Sequence, residues 1–174
     1  MWKLEGLRPD NHPVRRIAGA ARLLVRAESG IFRYLLTSLE PAGDEKDLRP
    51  LVEAWTAPAE GFWCCHHDLL RPASRPPGAL IGRGRALEIL INVVLPLASA
   101  WGEREGDGPL ARRSLALYQR LPSPGPYGAT GFLQRNLRRG HSRSTPSHAH
   151  YQQGLLHLFR SYCTQGGCGR CPLS

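Results

Sequence analysis

Near its end the chain reads Cys163-Thr-Gln-Gly-Gly-Cys168-Gly-Arg-Cys171-Pro172, a C-x4-C-x2-C group with three thiols in nine residues. Thiolates at this spacing suit Zn, at about 2.3 Å per sulfur, or an Fe–S cluster of the kind in which a distant fourth cysteine completes the set. Gly166, Gly167 and Gly169 allow the backbone to turn tightly enough for the sulfurs to converge. Arg160 and Arg170 favour thiolates nearby. A fourth ligand must come from elsewhere, and Cys64, Cys65, His66, His67 and His157 are the internal candidates. Taken alone, Phe62-Trp63-Cys64-Cys65-His66-His67 reads as aromatic-flanked core lining, because adjacent residues seldom both ligate one ion. A Cys/His nucleophile drawn from it would lack an orienting carboxylate and oxyanion donors.

A second chemical signal lies in the charge. The chain has 174 residues and a net charge of +9, yet residues 1–107 hold 14 basic and 14 acidic side chains, while residues 108–174 hold nine arginines and no acid. A stretch of that sign attracts a polyanion, each neutralised phosphate releasing counterions and making binding salt-dependent. Nucleic acid is the expected partner, with Arg135, Arg138, Arg139 and Arg143 as the phosphate contacts. The competing readings are a solvated basic face and an interface for an acidic protein.

Catalytic signatures are absent. Gly82-Arg83-Gly84-Arg85-Ala86-Leu87 lacks the last glycine of a dinucleotide loop and follows no convincing strand. The chain has no G-x-S-x-G, no H-E-x-x-H and no Walker lysine. Catalysis by this chain alone is therefore the less favoured expectation, with a redox enzyme built on the cysteine cluster as the enzymatic alternative.

The elements that would position these groups read as helices. Pro13 suits the first position of a helix that His12 or Asn11 caps. Val14, Ile17, Ala18, Ala21, Leu24 and Val25 then recur as an apolar stripe, predicting that Arg15, Arg22 and Arg26 face water. Residues 31–39 and 48–57 give two shorter helices, and 58–80, rich in proline, predicts a long loop or hinge. Ala86–Ala100 is apolar on nearly all sides and predicts a central helix bent at Pro96. Interruptions at Glu88, Asn92 and Pro96 leave it short of the roughly 20 apolar residues of a bilayer span.

Pro109 opens a helix whose Leu110, Ser114, Leu117, Tyr118 and Leu121 share a face. Residues 132–139 predict a short basic helix. Ser147 caps a last helix running to Tyr162, with Tyr151, Leu155, Leu158, Phe159 and Tyr162 buried. No segment alternates with period two. The expected fold is all-α, a single domain over 1–174 built as an irregular array of about six helices with a cysteine-rich tail at 163–174. The N-terminus lacks the apolar run of a secretory signal, so the expected location is the cytoplasm, where thiols stay reduced and a cysteine cluster favours metal.

Four blocks together resemble the C-terminal half of a bacterial family, domain of unknown function 2851. They are Gly6–Ile17, Ala79–Ala86 running into Asn92–Leu97, Gln152–His157, and Tyr162–Leu173. The resemblance implies that longer relatives carry an N-terminal half with nuclease-like acidic metal-binding elements, none of which maps onto a residue of this sequence. A truncated gene, one part of a split system and a stand-alone accessory domain are the alternatives this leaves. The expectation is thus a non-catalytic helical domain with a structural Zn or Fe–S site and a basic nucleic-acid-contacting surface, accessory to a nuclease-like half. The alternative is a module docking an acidic protein.

Overall fold

A computed structural model of the chain describes residues 12–40, 47–70, 72–125, 127–128, 131, 133 and 148–172. Among these the protein is all-α, with six helices: α1 (Pro13–Arg26), α2 (Ile31–Leu39), α3 (Arg49–Ala54), α4 (Arg83–Glu105), α5 (Gly108–Arg120) and α6 (Ala149–Ser161). Their local causes are largely visible in the residues. Pro13 occupies the first turn of α1, where its missing N–H is no loss, and His12 Nδ1 accepts from Val14 N at 3.4 Å. Gly106, at φ 74°, ends α4, and Asp107 Oδ1 accepts from Leu110 N at 3.0 Å to start α5.

That turn is so short that α4 and α5 must run back along each other. Gly102 makes the close approach tolerable: a Cβ there would stand 2.8 Å from Ala111 N and 2.9 Å from Asp107 O. The core gathers around α4. Its Ala86, Leu90, Ile91, Val94, Leu95 and Ala98 are buried with Leu35 and Leu39 of α2, Leu51 and Val52 of α3, and Leu117 of α5. Helix α5 buries Ser114, Leu117 and, just past its end, Leu121, as its apolar spacing predicted.

Helix α4 departs from expectation on its other side. Val93 and Leu97 are exposed, so the helix is central along one face only. By length and composition Arg83–Glu105 could cross a membrane, but its inner face is what fills this core. Residues Leu90–Val94 form a π turn just ahead of Pro96. A π turn shifts the hydrogen-bond ladder by one residue, which is a way to accommodate a proline without breaking the helix.

The larger correction concerns α1. The sequence pattern places Val14, Ile17, Ala18, Ala21, Leu24 and Val25 inside, and Arg15 in water. Instead Arg15 is fully buried, along with Gly19, Leu23 and Ala27, while Ile17, Ala21, Leu24 and Val25 are exposed. The physical reason is the loop that follows α3. Arg15 Nη1 donates to His66 O at 2.6 Å and Trp63 O at 3.3 Å, and Nη2 donates to Gly78 O. A guanidinium whose Nη groups both meet backbone acceptors can be buried, so hydrogen bonding overrides hydropathy in setting the helix's rotation.

Residues 58–80 form the expected long loop, apart from a 3-10 turn at Gly61–Cys64. Its ends are closed by an antiparallel bridge in which Ala57 N donates to Ile81 O at 2.9 Å and Ile81 N to Ala57 O at 3.0 Å. Gly19 leaves room for this bridge, since a Cβ there would lie 2.8 Å from Ile81 Cγ1. In α6 the buried residues are Ala149, Gln152 and Leu155, whereas Tyr151 is exposed, and the cap position is His148 rather than Ser147. Ala149 N donates to Leu121 O at 2.9 Å and Gln152 Nε2 donates to Gly125 O, which turns that side of α6 inward. Ser147 and the predicted basic helix at 132–139 fall outside the described residues, save Leu133, which is buried.

Candidate functional site

Helix α6 runs directly into the cysteine ending. A 3-10 turn covers Cys163–Gln165, and Gly167 N donates to Tyr162 O at 2.8 Å. Gly166 and Gly169 have φ of 66° and 84°, as a tight return requires. The backbone therefore folds back as the glycines suggested. Cys168 is exposed, Cys163 and Cys171 are half-buried, and none of the three is in a disulfide. Among the described residues no three His, Cys, Asp or Glu side chains come together to hold a metal ion.

The Cys64–His67 patch lies on the loop that Arg15 holds by its carbonyls. It is not core lining, because Cys64 and Cys65 are exposed. The His66 ring stacks on Phe62 at 3.9 Å between centroids, and its Nδ1 lies 3.3 Å from Cys65 Sγ and 3.0 Å from Phe62 O. A carbonyl at that distance claims Nδ1 as a donor, so this nitrogen is not the base that would take the thiol's proton. Desolvation, and after it the Cys64 thiol, pushes the Cys65 thiol up, opposite to what a nucleophile needs. Alkylation of Cys65 by iodoacetamide is accordingly expected to keep accelerating past the pH where an ordinary thiol levels off, which peptide mass mapping along a pH series would show.

Arg22 pairs with Glu60 at 3.0 Å, Arg49 with Asp47 at 2.7 Å, Arg83 with Glu53 at 3.7 Å, Arg104 with Glu105 at 3.2 Å, and Arg85 with Glu88. Every one of these ion pairs among the described residues is made within the charge-balanced part. Beyond Asp107, Arg112, Arg160 and Arg170 are exposed in a stretch that holds no carboxylate side chain. Position by position, His148, Tyr151, Gly154, His157 and Arg160 are exposed at or on α6, an i, i+3 row of basic and aromatic groups with one gap. The arginines singled out from sequence, Arg135, Arg138, Arg139 and Arg143, lie outside the described residues.

Comparison with known proteins adds one relation. A family model described as a protein of unknown function, DUF2851, matches residues 1–124. The chain belongs to this family. No curated protein and no solved structure matches the chain. The DUF2851 match includes the blocks Gly6–Ile17 and Ala79–Leu97, and so takes in Arg15 and the bridge partner Ile81. The Gln152–His157 and cysteine blocks lie beyond it, in the part that carries the arginine excess.

Sequence reading missed Arg15, the residue that organises the loop. The available signal was its place in the first turn of a helix opened by Pro13, where a cation can reach carbonyls of neighbouring chain. Periodicity, however, assigned it to water.

Proposed function

We propose that the chain is a non-catalytic helical binding domain whose C-terminal part contacts nucleic acid through phosphate, as an accessory to a nuclease-like component. The observation that supports it is the division of charge along the chain: arginines up to Asp107 share their stretch with 14 carboxylates and several pair with them, whereas the nine arginines beyond it follow the last acidic side chain in the sequence. The exposed row on α6 supports the same reading, because Tyr151 offers a face for a base while His148, His157 and Arg160 offer donors to phosphate. Arg135, Arg138, Arg139 and Arg143 remain the proposed principal phosphate contacts.

Filter binding to single- and double-stranded DNA along a salt series tests this. Affinity is expected to fall linearly on a log–log plot. Replacing those four arginines by alanine should flatten the slope on duplex by up to about 0.9 for each phosphate that is no longer neutralised. Affinity unchanged between low and high salt would remove phosphate as the driver. Retention of an acidic protein with no retention on DNA resin would turn the reading to protein docking.

For the cysteine ending, the proposal of a Zn or Fe–S centre on Cys163, Cys168 and Cys171 requires those thiols to draw together and recruit a further donor. One equivalent of Zn, or cluster iron, in anaerobically purified protein would support it. Folded, metal-free protein would eliminate it.

A further inference from the structure

Cys64 and Cys65 are used neither by the nucleic-acid reading nor by the cysteine ending. Both thiols are free and exposed. The backbone that carries them is held from elsewhere in the molecule. Arg15 Nη1 donates to Trp63 O at 3.3 Å and to His66 O at 2.6 Å, on either side of the pair, and Ala73 N donates to Cys65 O at 2.7 Å from the far limb of the loop. Cys64 Sγ donates to Gly61 O at 2.9 Å and Cys65 Sγ to Phe62 O at 3.5 Å, so both sulfurs lie over the same 3-10 turn.

Two ordinary fates suit this pair poorly. The peptide between the two cysteines is trans, which sets their Cα atoms about 3.8 Å apart, whereas disulfides usually span about 4.4–6.8 Å. Closing that ring would strain a backbone that Arg15 and Ala73 keep in place. A structural Zn takes four donors, and among the described residues no third His, Cys, Asp or Glu gathers with the pair. His66 Nδ1 is 3.3 Å from Cys65 Sγ but is turned to Phe62 O at 3.0 Å.

We propose that Cys64 and Cys65 form a two-sulfur binding site for a trivalent organoarsenical, a soft centre that is complete with two thiolates and one carbon substituent. In the binding step the As=O bond of an oxide R–As=O is replaced by two As–S bonds, and the oxygen leaves with the two thiol protons as one water. Arsenic stays trivalent, so the step needs no oxidant or reductant. Phe62, 45% exposed and stacked on His66, offers the carbon substituent an apolar surface beside the sulfurs. Because the bonds to Arg15 and Ala73 fix the backbone before the ligand arrives, little ordering remains to be done on binding. Arg15 is thus a positioning residue for the site. Nothing in it depends on the nucleic-acid reading.

Phenylarsine oxide, titrated into the reduced whole chain and followed by intact mass and by protection from iodoacetamide, tests the proposal. One adduct is expected on the loop. It should shield Cys64 and Cys65 together, resist excess monothiol and be removed by a small dithiol. Cys64→Ser and Cys65→Ser should each weaken binding at the loop about 100-fold or more, the gain that joining two contacts supplies. Arg15→Lys should weaken it several-fold with both thiols present, whereas serine at Cys163, Cys168 and Cys171 should leave it unchanged. Adducts confined to the tail cysteines, protection of one loop thiol without the other, single-serine variants that bind as tightly as the wild type, or a Cys64–Cys65 disulfide isolated in place of the adduct would overturn the proposal.

Discussion

Arg15→Ala is expected to destabilise the protein by about 3–5 kcal/mol, since three backbone carbonyls lose a charged donor at about 1–3 kcal/mol for each acceptor left unsatisfied. The reason is geometric. One guanidinium satisfies the carbonyls of Trp63, His66 and Gly78, which lie 48, 51 and 63 residues away in the chain. Alanine would leave these acceptors without their donor and open a void between α1 and the loop. Part of the loss would be recovered by water, since the bonds are only partly buried on the acceptor side. Arg15→Lys would keep the charge but not the planar fork that reaches several acceptors together, so it should restore only a fraction. Denaturant unfolding measures the free energies, and limited proteolysis should show faster cleavage within 58–80 in both variants. Wild-type stability in Arg15→Ala would mean that the loop is held by something else.

Gly102→Ala is expected to cost about 1–3 kcal/mol although it replaces the poorer helix former with the best one. Helix propensity alone favours alanine by about 1 kcal/mol. Sterics decide the sign: the new Cβ would lie 2.8 Å from Ala111 N, 2.9 Å from Asp107 O and 3.2 Å from Ala111 Cβ. The first two of these atoms are backbone, at the start of the next helix, so no rotamer change relieves them. Helices α4 and α5 would have to separate along the central packing of the core, and overpacking of this kind costs more than propensity returns. A thermal melt compares the variants directly, with Gly154→Ala as a control. That glycine is exposed on α6 with nothing within 4 Å of its added Cβ, and there alanine should stabilise. Equal gains at both positions would refute the close approach.

Much of the helical layout was legible because it depends on neighbours in the chain. Pro13 with His12 started α1, Gly106 and Asp107 separated α4 from α5, and the spacing of Ser114, Leu117 and Leu121 marked the inner side of α5. The face of α1, and at α6 the place of Tyr151, were misread for a shared reason. Each is oriented by polar groups bonding to distant backbone: Arg15 to three loop carbonyls, Gln152 to Gly125 O. Apolar spacing carries no information about such partners. For the candidate sites the difference is sharper still. The C-x4-C-x2-C spacing and its glycines correctly indicated a tight backbone return, but convergence of three sulfurs depends on side-chain directions that spacing does not contain.

The order of the residues alone thus determined the helical class, the helix boundaries set by proline, glycine and aspartate, and the split between a charge-balanced part and an arginine-rich one, since each follows from local sterics or simple composition. Tertiary structure decided which side of α1 is inside, that Cys64 and Cys65 are at the surface, and that α1 turns Ile17 and Leu24 outward while Leu23 is buried. Those outcomes follow from bonds between residues far apart in the chain, where bonding the Arg15 Nη groups and the Gln152 amide nitrogen to distant carbonyls outweighs covering a few apolar side chains.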